Sequence, residues 1–180
     1  MSRCLLVFAF VLFAFAASSY ADTPVSKDMA DKYLANCLKR TDPRLTPASQ
    51  QSMCSCTAEQ LQKSMTVEDM QMMARNDESG RLALNKMLLD VYAPCMSDPV
   101  KDLLVGECAK NPQVSASQAT SVCSCVAKLT GDWYATVGRD LMAQALKDNP
   151  NVTDPISPIM DSAEFKSVEM KYVQSCMQEH

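Results

Sequence analysis

The chain has 180 residues and a formal net charge of −4, with 17 Lys and Arg against 21 Asp and Glu. The basic residues form no cluster interleaved with aromatics, so neither nucleic acid nor an anionic membrane surface is an expected partner. Aromatics make up 6% of the chain, too few for a carbohydrate-stacking face, and four glycines against thirteen methionines argue for helices rather than hairpin-rich sheet.

The N-terminus reads as a secretory signal. Arg3 supplies the positive end, Leu5 to Ala17 is an almost unbroken apolar run, and Ser19-Tyr20-Ala21 offers small residues at the two positions a signal peptidase reads. Cleavage is expected after Ala21. The run is short of the roughly 20 residues a membrane span needs, and no later segment is apolar enough, so no transmembrane segment is expected once the signal is gone. Cys4 leaves with the signal. Eight cysteines remain, an even number that an oxidising periplasmic or extracellular compartment converts to disulfides.

Helical spacing of Met29, Tyr33, Leu34 and Cys37 predicts a first helix over Ser26 to Lys39, broken by Thr41-Asp42-Pro43. A second starts near Thr46, with Pro47 at the first helical position, and runs to Ser64. Thr66-Val67-Glu68-Asp69 starts a third, with an acidic first turn, which ends near Asn76. A fourth is expected from Ser79 to Met96. After Pro99 the plan repeats: Val100 to Lys110, Ser115 to Thr130, Thr136 to Lys147, a proline-rich loop over Asn149 to Pro158, and a last helix from Ser157 to Gln178. Trp133 and Tyr134 fall at the expected break after Gly131-Asp132, where they either close the end of a bundle or anchor a partner.

Two cysteine sets share one pattern: Cys37, Cys54, Cys56, Cys95 and Cys108, Cys123, Cys125, Cys176. Each contains Cys-Ser-Cys, and the flanks agree: Ala48-Ser49-Gln50 answers Ala116-Ser117-Gln118, and Cys37-Leu38-Lys39 answers Cys108-Ala109-Lys110. An internal duplication explains this. The expected fold is all-α: two tandem disulfide-clamped units, 22–97 and 98–180, behind the signal peptide 1–21.

Residues two apart on a helix point roughly 200° apart. Cys54 and Cys56 therefore face opposite sides of their helix and cannot readily bond each other. The simplest arrangement sends one to the first helix and the other to the fourth; if each unit pairs within itself, two choices per unit remain out of the roughly one hundred pairings open to eight cysteines. Nearness to the interhelix turn favours Cys37–Cys54 and Cys56–Cys95, and by symmetry Cys108–Cys123 and Cys125–Cys176.

This cysteine pattern, in an alanine- and methionine-rich exported helical chain, resembles uncharacterised small bacterial periplasmic proteins built on a four-cysteine helical unit. The resemblance spans both units and implies a helical fold and export. It carries over no active residues. The gap from Cys125 to Cys176 exceeds that from Cys56 to Cys95, so the two copies need not share a surface.

No catalytic constellation emerges. The single histidine, His180, is the last residue, which leaves no positioned imidazole for a triad or a histidine zinc site. The expected role is a non-enzymatic binding or scaffold module without a cofactor, whose partner is a protein or a small apolar ligand. The alternative is Cu(I) handling by Met70, Met73, Cys54 and Cys56, because Cu(I) prefers thioether and thiolate ligands. Thiol–disulfide exchange at Cys-Ser-Cys is a further alternative. Asn151-Val152-Thr153 is an N-glycosylation acceptor sequence in an expected loop.

Overall fold

The computed structural model describes residues 22–112 and 114–179; the secretory signal read in 1–21 and the terminal His180 lie outside the described residues. The described chain is all-α. Its helices are α1 (Lys27–Lys39), α2 (Pro47–Ser64), α3 (Val67–Met72), α4 (Glu78–Met87), α5 (Ser97–Cys108), α6 (Ala119–Asp148), α7 (Ser157–Met160) and α8 (Ala163–Glu179). Among the described residues the only extended pairing is an isolated bridge between Pro24 and Thr66.

The helix starts follow local chemistry. Ser26 caps α1 by accepting from the Met29 N–H at 3.3 Å, and Thr46 caps α2 by accepting from Ser49 at 3.2 Å. Thr66 and Asp69 form a reciprocal capping box at α3. Asp77 caps α4 through the Gly80 N–H at 3.0 Å. Each cap satisfies a backbone donor that the first helical turn leaves without an intrahelical partner.

Several boundaries differ from the sequence expectation; α5, for one, takes in Pro99 and runs Ser97–Cys108 rather than Val100 to Lys110. The third helix stops at Met72, and turns carry the chain to Asp77. The fourth does not run unbroken to Met96. It passes into a π-helical turn, Leu88–Tyr92, and then a 3-10 turn, Ala93–Cys95. Pro94 is the cause: it has no N–H to give to the Asp90 carbonyl, and its ring crowds that carbonyl. The wider π register absorbs the conflict, with the Ala93 N–H bonded to the Leu88 carbonyl five residues back.

The largest correction is α6. The expected helices over Ser115 to Thr130 and Thr136 to Lys147 are one 30-residue helix, with Gly131 inside it. This glycine permits close approach rather than a break. A Cβ there would lie 2.4 Å from the Lys101 side chain, and Ser97 Oγ donates to the Gly131 carbonyl at 2.9 Å. Glycine thus lets α6 press against the start of α5. The last expected helix is interrupted at Asp161-Ser162, where Ser162 Oγ accepts from the Phe165 N–H at 3.2 Å and starts α8.

The largest apolar cluster draws on both halves of the described chain. Leu88, Ala93 and Met96 meet Val100, Leu104, Tyr134, Met142, Ile159 and Phe165. The helix α5 packs against α2 on one side and α6 on the other. Residues 22–97 and 98–180 therefore share one core, sealed in part by Trp133, whose ring centroid is 5.9 Å from that of Phe165. A second cluster sits between α1, α2 and the π turn, and a third between α6 and α8. Among the described residues, no helix is long and apolar enough to cross a membrane.

Candidate functional site

The structure joins Cys37 to Cys54, Cys56 to Cys95, Cys108 to Cys123 and Cys125 to Cys176, with Cα separations of 5.7, 5.6, 5.5 and 5.9 Å. Cys54 and Cys56 leave opposite sides of α2. One ties it to α1, the other to the 3-10 turn after the π segment. On α6, Cys123 reaches α5 and Cys125 reaches α8. Four intrachain disulfides fit an oxidising environment. With its sulfur in a disulfide, none of these cysteines offers a thiolate as nucleophile or soft ligand.

Met70 and Met73 pack with Val25, Leu61, Met65, Met87 and Val91. Cys56 packs against the larger cluster instead, and Cys54 is fully buried in its bond to Cys37. The thioethers and the Cys-Ser-Cys sulfurs thus belong to separate groups. Tyr134 is buried and Trp133 is half-buried, both within α6 rather than at a helix break. Asn151 is exposed in the turn after α6, with Val152 buried beside it.

Outside these bonds, one cleft of about 400 Å³ lies between α1, α2 and the π turn, lined by Tyr33, Asn36, Cys37, Arg40, Met53 and Tyr92. Spacing of three, four and seven residues puts Tyr33, Asn36, Cys37 and Arg40 along one stripe of α1 and its C-cap. Met53 comes from α2, next to the half-cystine at Cys54. Tyr92 closes the π turn. Without the extra residue of that turn, a regular helix would rotate Tyr92 by about 100° away from Tyr33. The local irregularity therefore aims this side chain, as single π turns do at many functional sites.

The Tyr33 hydroxyl donates to the Tyr92 hydroxyl at 2.8 Å. Burial, reinforced by the adjacent Tyr33 phenol, pushes the ionisation of Tyr92 well above the ordinary phenol range; the nearby Arg40 charge opposes this only in part. Tyr92 stays a neutral hydrogen-bonding group throughout the physiological range. The Arg40 carbonyl accepts from Gln50 Nε2 at 2.8 Å, which fixes the backbone at the cleft mouth. Its guanidinium pairs with no described carboxylate, whereas Arg44, Arg75, Arg81 and Arg139 each hold one.

Sequence reasoning missed this site. The α1 stripe was readable, but the approach of Tyr92 depends on a π turn that no spacing rule anticipates. Comparison with protein-family models, with curated proteins and with solved structures finds no match in any of the three.

Proposed function

We propose that the chain is an exported, non-enzymatic binding protein of the periplasm or the extracellular space, made of two tandem four-cysteine units and binding its ligand in the cleft at the π turn. The observation that carries this reading is the cleft itself. It gathers a guanidinium that no described carboxylate engages, an exposed amide and a phenol pair bonded to itself, on walls fixed by two covalent ties. Cys37–Cys54 holds α1 to α2, and Cys56–Cys95 holds α2 to the segment bearing Tyr92. Rigid walls lower the ordering cost of binding, which is the general advantage of a preorganised site.

The test is intact mass on protein recovered from its exported compartment, alkylated before and after denaturation. The expected species starts at Asp22, takes up no alkylating reagent and is lighter by two hydrogens per disulfide. Alkylation of any cysteine in the native protein would reject the clamped-scaffold reading in favour of thiol chemistry.

A further inference from the structure

Resting on the reading of the π-turn cleft as a binding site, we infer that it takes a small organic carboxylate with an apolar, preferably aromatic, body. None of the six lining residues is acidic, in a chain whose net charge is −4. Arg40 stands at the mouth with a guanidinium that no described carboxylate engages. The planar fork of guanidinium donors matches a carboxylate in bidentate fashion. Deeper in, the phenol pair carries two hydroxyl hydrogens, and the bond between the rings uses one of them. The other is free to donate into the cleft, and the Asn36 amide adds a further donor.

These groups select by charge. An ammonium ligand would meet a guanidinium with no anion in the wall to offset it. A neutral ligand would gain no charge-assisted bond from Arg40. A carboxylate satisfies the guanidinium and accepts from the amide or the free phenol hydrogen.

The rest of the wall is apolar and polarisable: the Met53 thioether, the Cys37 half of its disulfide and the two tyrosine rings. Sulfur beside aromatic rings is a favourable lining for another ring. The volume, about 400 Å³, sits toward the low end of the roughly 300–1,000 Å³ range of small-molecule pockets, so the ligand is a small molecule rather than a polymer segment.

The experiment is a titration of the oxidised, isotope-labelled exported protein, followed by two-dimensional NMR, with three probes of similar shape: phenylacetate, 2-phenylethanol and 2-phenylethylammonium. Phenylacetate is expected to shift resonances of Tyr33, Asn36, Arg40 and Tyr92 in a saturable way. Phenylethanol should bind more weakly and the ammonium should not bind. Arg40→Gln is expected to weaken phenylacetate by about tenfold, the scale of a lost charge-assisted pair. Arg75→Gln, remote on the α3–α4 turn, should leave affinity unchanged. Arg40 exposes its side chain and supports the fold through its backbone carbonyl, so the variant should fold, and its amide spectrum reports this directly.

Equal binding of phenylacetate and phenylethanol at the cleft, or an Arg40→Gln protein that binds phenylacetate normally, would overturn the carboxylate class and keep the cleft as a binding site. Failure of all three probes on folded, oxidised protein would overturn the inference and the cleft assignment together. The disulfide-clamped export reading would still stand or fall by the mass measurement.

Discussion

At the residue scale, Tyr134 shows a cost carried inside the core. Its side chain is fully buried on α6, and its hydroxyl has no hydrogen-bond partner. Burial raises its ionisation well above the usual phenol range, in line with a hydroxyl shut away from water. Leaving such a group unpaired costs about 1–3 kcal/mol. Tyr134→Phe keeps the ring and removes the orphan oxygen, so it is expected to raise stability by about 1 kcal/mol. Urea unfolding midpoints of the two proteins decide this, and a clear loss of stability would mean that the hydroxyl is bonded in solution. The phenols of Tyr33 and Tyr92 contrast with it. They are satisfied by each other, at a cleft rather than in the core.

At the scale of elements, the glycines of α4 and α5 should respond oppositely to alanine. Gly106 is exposed within α5, and a Cβ there meets nothing within 4 Å. Gly106→Ala is expected to stabilise by about 0.5–1 kcal/mol, because alanine is the better helix former. A Cβ on Gly80 would lie 2.0 Å from the Arg75 carbonyl, which is backbone and cannot step aside. Gly80→Ala should destabilise by about 2 kcal/mol or more by overpacking. Thermal unfolding of the two variants, followed by circular dichroism, checks the sign of each. Helix starts were legible wherever a cap residue preceded an apolar stripe, as at Ser26, Thr46 and Thr66. The length of α6 was not, because a glycine that admits a neighbour and a glycine that breaks a helix look alike until the neighbour is known. The expected fourth helix ran straight through Pro94, although a proline inside a helical stretch marks a conflict. Even so marked, the residue does not say that the helix widens rather than stops, and the cleft depends on that choice.

At the scale of the molecule, the geometry of Cys-Ser-Cys on a helix left few pairings for the structure to choose among. It could not show that Val100 and Leu104 of α5 would enter the same core as Leu88 and Met96. Contacts of that kind rest on which helix faces remain uncovered after each hairpin closes, and a repeat pattern read unit by unit does not count them. The ties differ in reach: Cys108–Cys123 closes a span of 15 residues and Cys125–Cys176 one of 51. In the chain-entropy account the longer loop stabilises by about 4 kcal/mol and the shorter by about 3 kcal/mol. Paired Cys→Ser replacements should therefore lower the unfolding midpoint more at Cys125/Cys176 than at Cys108/Cys123. The reverse order would show that the unreduced chain gains its stability from local packing at the bonds rather than from loop closure.

The four ties are also consecutive. Each bond joins a cysteine to the next one along the chain, and each loop closes before the following one opens. A polypeptide delivered across a membrane amino end first presents its thiols in that same order. An oxidant that couples every newly arrived thiol to the one still waiting would write the native set directly, with no wrong bond to undo. On the proposed export route, maturation of this protein should then need a source of oxidation and no isomerase, and the order of its cysteines would serve as the assembly instruction.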